Sequence, residues 1–139
     1  VAVTIEQALA YVAENDHAVL ATRRKDGSPQ MSPLNIGVLD GALVISSRQM
    51  LAKVRNLRRD PRASVLVLAD AFYGYWVQVD GTAEIIDQTD PGTVDLLVEV
   101  YRAIAGEHPD WDEYRAAMVA DERVVIRIRP ERASGELPG

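Results

Sequence analysis

Cysteine is absent from the 139-residue sequence, which excludes disulfides, zinc–thiolate sites and thiol nucleophiles. Histidine is nearly absent as well. His17 and His108, 91 positions apart (108 − 17), have no acidic partner at ligand spacing and read as surface or turn residues, so no metal site is expected. No glycine pattern matches a dinucleotide loop or a P-loop, and no Gly-x-Ser-x-Gly elbow occurs. Asp110, Asp112 and Glu113 follow Pro109 and fit a helix start better than a metal site. No catalytic residue can be named from these patterns, and any chemistry falls to a bound organic cofactor. No apolar run approaches the ~20 residues that span a bilayer, so no membrane partner is expected. The first residues carry Glu6 among alternating polar positions, unlike a secretion signal, and a cytoplasmic chain is expected.

Positive charge is also in deficit, with 15 Lys and Arg against 21 Asp and Glu for a net charge of −6. Most of those acids would repel a phosphate backbone, which argues against nucleic acid as a partner. At 47% hydrophobic and 26% charged the composition is ordinary for a globular chain, and the length fits one domain over residues 1–139 with a real core.

What the sequence does contain is a basic island. Residues 46–62 hold Arg48, Lys53, Arg55, Arg58, Arg59 and Arg62 against one acid, Asp60. Residues 42–46 read as a strand, and Leu51, Val54 and Leu57 recur at helical spacing. This predicts that Ser46, Ser47 and Arg48 sit at a strand-to-helix junction, where free backbone N–H groups and the positive end of the helix dipole favour an anion. Lys53, early in that helix, lies within reach of the same point. Two readings stand: a site for one small polyanion, or a solvated basic helix face.

The remaining pattern predicts a mainly β chain with inserted helices. Thr4 to Gln7 matches a capping box opening a helix over 5–14. Strands are expected at 18–22, 30–39, 42–46, 63–68, 76–86 and 123–129. Turns are expected at Lys25 to Ser28 and at Asp40-Gly41, and a bulge at Gly81. The basic helix ends at Asp60-Pro61, and residues 71–75 form an aromatic loop or strand edge. Helices are expected over 93–106, with Gly106 as the stop, and over 109–120. Six strands joined by tight turns, with no repeat or linker, favour a small closed or split β-barrel, which removes exposed sheet edges.

Several blocks resemble a known family. Leu20-Ala-Thr22, Asp26-Gly27-x-Pro29-Gln30-x-Ser32, the strand ending Ser46-Ser47, and Lys53-x-Arg55-Asn56-Leu57-x-x-Asp60-Pro61-x-Ala63 follow the order found in the pyridoxamine 5′-phosphate oxidase-like split β-barrel proteins, which bind flavin or deazaflavin. Tyr101-Arg-x-Ile-Ala-Gly106-Glu-His-x-Asp-Trp111-x-x-Tyr114-Arg resembles the actinobacterial branch that uses coenzyme F420, a deazaflavin. The resemblance runs from about Ala18 to Arg129.

The resemblance implies a homodimeric split β-barrel with the cofactor site at the subunit interface. It implies cofactor phosphate against Ser46, Ser47 and Lys53, and the ring system near Gln30 and Ser32. The deazaflavin tail, a phospholactate carrying a polyglutamate chain, suits Arg48 and Arg55. Arg58 or Arg59 would join them if the helix orientation permits, although Arg59 and Arg62 read better as solvated. The flavin-using oxidases of the family place an arginine where this chain has Ser32. They end in an Arg-Leu-His-Asp-Arg type segment, whereas this chain ends Pro130-Glu-Arg-Ala-Ser-Gly-Glu-Leu-Pro-Gly139. Both departures point away from vitamin B6 oxidation. The implied activity is an F420-dependent reductase that passes hydride to an electron-poor small-molecule substrate. Tyr73, Tyr75 and Trp76 either line the substrate side or pack at a strand edge. An FMN-binding oxidoreductase and a non-catalytic F420 carrier or sensor are the alternatives.

Overall fold

The computed structural model describes residues 2–138. Helix α1 (Ile5–Glu14) opens as expected. Thr4 Oγ1 accepts from the Gln7 N–H at 3.0 Å, and the Thr4 N–H donates to Gln7 Oε1 at 2.9 Å. There follow β1 (His17–Arg23), β2 (Pro29–Asn35), β3 (Gly37–Leu39), β4 (Ala42–Arg48), α2 (Ala52–Arg59), β5 (Arg62–Leu68), β6 (Trp76–Ile86), α3 (Thr93–Ala105), α4 (Trp111–Ala120) and β7 (Arg123–Glu136).

The strands form one antiparallel sheet in the order β2-β1-β5-β6-β7-β4-β3. Its two edge strands are consecutive in the chain, with only Ile36 between them. Two Cα steps of about 3.8 Å span that gap, so the edges must lie side by side and the sheet must curl. Since β2 and β3 are not hydrogen-bonded to each other, the result is a split barrel, as expected.

Three boundaries differ from expectation. The strand foreseen over 30–39 is two strands: β2 pairs with β1, β3 pairs with β4, and Ile36 is fully buried at the crossing with its N–H on Asp16 O at 2.9 Å. Gly37 is needed there, because a Cβ would lie 2.9 Å from Ile104 Cγ1 on α3. β4 runs on to Arg48, because β7 continues to pair with it as far as Arg48↔Arg123. β7 continues through Pro130 to Glu136. Asp80 pairs with Arg132 but Gly81 pairs with Pro130, which leaves Glu131 as the extra residue. The bulge therefore falls at Gly81, but the inserted residue is on the opposite strand, where a proline without an N–H is tolerated. Gly81 admits the close approach, since a Cβ there would lie 2.1 Å from Arg129 O.

Two apolar clusters result. Leu20, Ile45, Val65, Val79 and Ile126 fill the barrel, closed by Ala8 and Val12 of α1 and by Val54 and Leu57 of α2. Outside it, Val44 and Val125 pack against Leu97 and Val98 of α3 and Tyr114 and Met118 of α4. β4 and β7 are thus buried on both faces, which accounts for their unbroken apolar runs. Val19, Leu66, Leu68 and Trp76 are half-buried and belong to neither cluster. Among the described residues no helix is long and apolar enough to cross a membrane.

Candidate functional site

The extension of β4 relocates the expected anion junction. Ser46, Ser47 and Arg48 lie within the strand, opposite Val125, Val124 and Arg123, and α2 begins only at Ala52. The N-cap is Leu51, which offers no side-chain cap, so the first-turn N–H groups of α2 are unmet by side chains. Strand alternation then separates the two serines. Ser47 points with Leu43 and Ile45 into the barrel and is buried, whereas Ser46 and Arg48 lie on the side of Val44. Lys53 is half-buried on α2, and its pKa is lowered by burial and by the positive charge of Arg123.

On the other side of α2 lies a cleft of about 340 Å³ lined by Arg24, Lys25, Gln30, Ala52, Arg55, Asn56 and Arg59. It joins α2 to the β1–β2 hairpin. Four cations line it and no carboxylate does. Two are already engaged: Arg24 Nη1 donates to Pro29 O at 2.7 Å, and Arg59 Nη2 donates to Arg23 O at 2.7 Å and to Asn56 Oδ1 at 3.1 Å. Lys25 and Arg55 form no ion pair among the described residues. Two of the cleft's wall residues, Asn56 and Gln30, are linked through the buried Thr22. Asn56 Nδ2 donates to Thr22 Oγ1 at 3.1 Å, and Thr22 Oγ1 donates to Gln30 Oε1 at 3.2 Å.

Of the seven expected site residues, the structure brings Gln30 and Arg55 into one cleft. Ser32, Ser46, Ser47, Arg48 and Lys53 are not among its lining residues. Ser32 faces inward opposite Leu20, and its hydroxyl, like that of Ser47, is buried without a hydrogen-bond partner. Arg59 is exposed, as expected, and its guanidinium is in addition bonded to Arg23 O and Asn56 Oδ1. Arg58 is held away from the cleft by Asp87 and Gln49, both at 3.0 Å. Arg62 pairs with Asp60 at 2.7 Å on the surface and holds the Asp60 carboxyl down at about 2. Arg24 and Lys25 are not among the expected site residues, since Lys25 reads as part of a turn over 25–28 and Arg24 falls in no expected element. The run Arg23-Arg24-Lys25 was the available signal.

Two larger clefts carry mixed charge. One of about 560 Å³ includes Asp80 and Glu131 beside Arg23, Arg62 and Arg132, and one of about 470 Å³ includes Asp40 and Glu84. Size favours these, but carboxylates in their walls oppose an anionic ligand, so the donor set singles out the smaller cleft. Tyr73, Tyr75 and Trp76 line none of the three. Tyr73 is 96% exposed at the tip of the β5–β6 loop.

The chemistry of the donor set suits a cofactor that presents phosphate and carboxylate groups. Residues 4–135 match the family model described as Pyridoxamine 5′-phosphate oxidase. A conserved hypothetical protein of Mycobacterium tuberculosis superposes with a TM-score of 0.76 at 26% identity, over 99% of this chain and 90% of that one. A structure described as an F420 reductase gives a TM-score of 0.65 at 23% identity, over 86% and 90% of the two chains. A FAD-binding protein from Mesorhizobium loti gives 0.69 at 23%, over 97% and 95%.

Proposed function

This chain belongs to the pyridoxamine 5′-phosphate oxidase family, and on that premise we propose that it is an oxidoreductase that uses coenzyme F420 to reduce an electron-poor small-molecule substrate. The observation that carries this reading is the acid-free basic cleft between α2 and the β1–β2 hairpin. A flavin mononucleotide presents one phosphate. The deazaflavin tail adds several carboxylates, which better matches four cations, two of them uncommitted. The neighbour described as an F420 reductase agrees with this reading, and the FAD-binding neighbour keeps a flavin as the competitor.

On this reading Lys25 and Arg55 hold the tail, the guanidinium pairing with a carboxylate through its planar fork. Lys53 and the first turn of α2 hold the phosphate; Ser46 and Ser47, on opposite faces of β4, do not both reach it. Gln30 and Ser32 border the ring. The orphaned hydroxyls of Ser32 and Ser47 are groups that a bound ligand would satisfy. When bound and reduced, the deazaflavin supplies two electrons and a proton together as hydride. The chain positions the reactants. No side chain is assigned a proton transfer, and water protonates the product.

A homodimer completes the site. Val19, Leu66, Leu68 and Trp76 form an outer sheet face that neither apolar cluster covers, and a second copy is its proposed occupant. Sedimentation should give a dimer that Val19→Lys weakens; a wild-type monomer at micromolar concentration contradicts this.

The cofactor reading is tested by fluorescence titration of the apoprotein with oxidised deazaflavin and with FMN, side by side. Tighter deazaflavin binding is expected. Equal or tighter FMN binding transfers the protein to the flavin reading. Tight deazaflavin binding with no reduction across a substrate panel makes it a carrier.

A further inference from the structure

We propose that Arg59, acting through Asn56 and Thr22, sets the orientation of the Gln30 amide so that it adds a hydrogen-bond donor to the basic cleft, which then selects deprotonated phosphate or carboxylate groups. This rests on reading the cleft as the anion site.

The inference comes from the direction of the bonds. A guanidinium only donates, so the Asn56 atom 3.1 Å from Arg59 Nη2 is its carbonyl oxygen. That places Asn56 Nδ2 on Thr22, where it donates to Oγ1 at 3.1 Å. The Thr22 hydroxyl, having accepted, gives its own proton to Gln30 Oε1 at 3.2 Å. Three bonds run one way, from a fixed charge to the cleft wall, and each polarises the next. Thr22 is 1% exposed and Asn56 8% exposed, so water does not reorder the chain.

With its oxygen engaged, Gln30 turns its nitrogen outward. The protein contact of Nε2 is a long one to Met31 O at 3.4 Å, which leaves a proton for a ligand. The reversed amide would aim a carbonyl at the anion and repel it. Gln30 therefore joins Lys25 and Arg55 as a donor, and no carboxylate lines the cleft to accept from a protonated acid. Asn56 and Thr22 are positioning residues, since they act through Gln30.

The test is a double-mutant cycle read by affinity, with oxidised coenzyme F420 and inorganic tripolyphosphate as probes. Thr22→Val keeps the shape and removes the hydroxyl; Gln30→Met removes the amide. Each alone should weaken both probes about tenfold, the loss of one hydrogen bond to a charged group. Because both act through one amide, the double variant should bind no worse than Gln30→Met. Asn56→Leu, which cuts the relay one bond upstream, should match Thr22→Val and serves if Thr22→Val does not fold. Wild-type affinity in Thr22→Val and Asn56→Leu, or additive losses in the cycle, overturns the relay. Binding of tripolyphosphate but not of F420 refutes the cofactor reading, and the cycle on tripolyphosphate then decides the relay. Binding of neither probe overturns both.

Discussion

Lys53→Met should raise the stability of the protein alone and lower its affinity for an anionic ligand, two effects of opposite sign from one substitution. Lys53 is half-buried, its pKa is lowered first by burial and then by Arg123, and no ion pair among the described residues includes it. At neutral pH the ammonium is charged whether the chain is folded or not, so the folded state carries the desolvation and the repulsion. The group is half-buried rather than enclosed, so solvent still screens the effect to about 0.2–1 kcal/mol, the scale of exposed charge pairs. For a chain of this size that is a rise of about 1–4 °C in Tm. Methionine keeps the unbranched stem, so little packing is lost. Between the depressed folded value and the ordinary 10.5, the unfolded chain binds more protons than the folded one. Wild-type stability therefore gains on that of the variant as pH rises through this window, and the gap closes above it. Tyr11 and Tyr114, whose pKa values are raised by burial, titrate in both proteins and cancel in the difference. With deazaflavin bound, the variant should lose about 1.5–3 kcal/mol of affinity, the value of a hydrogen bond to a charged group. Thermal scans from about pH 7 to pH 11, with and without ligand, measure both effects. A lower Tm for the ligand-free variant, or unchanged affinity, would refute the assignment of Lys53 as an unpaired cation awaiting an anion.

Lys25→Gln with Arg55→Gln should abolish any dependence of affinity on tail length while sparing the tail-less core. In the wild type that dependence should fade as salt shortens the Debye length to about 8 Å; a wild type indifferent to tail length at low salt shows these cations to be merely solvated. Gly81→Ala should cost about 1–3 kcal/mol or more, because the new Cβ would lie 2.1 Å from Arg129 O and the backbone must open; an unchanged urea midpoint contradicts this account of the bulge. Asp60, held down to about 2 by its bonds from Arg62, adds stability that is complete above its ordinary 3.8 and is lost as pH falls to about 2. The stability difference between wild type and Asp60→Asn should vanish across that window, and a pH-independent difference would dismiss the Asp60–Arg62 contact.

Short-range pattern alone determined much of this protein. The Thr4–Gln7 capping box, the helices at 5–14 and 93–106, the Gly106 stop and the place of the bulge were all legible, because each depends on residues within a few turns or on a single glycine. So was the choice of α2 as the basic element, since charge composition needs no coordinates. The tertiary structure decided the rest. Residues 30–39 look continuous because alternation does not reveal that the pairing partner changes at Ile36. Ser46 and Ser47 look equivalent until β7 extends β4 and turns them to opposite faces. Arg59 reads as solvated because nothing local connects it to Thr22, 37 positions earlier (59 − 22), yet Asn56 brings them onto one hydrogen-bonded chain. Lys25 looks like a turn residue until the β1–β2 hairpin folds against α2 and makes a cleft of two distant basic segments. Periodicity specifies which face of an element is buried, but which charges share a wall depends on strand order and register, and these are properties of the closed sheet.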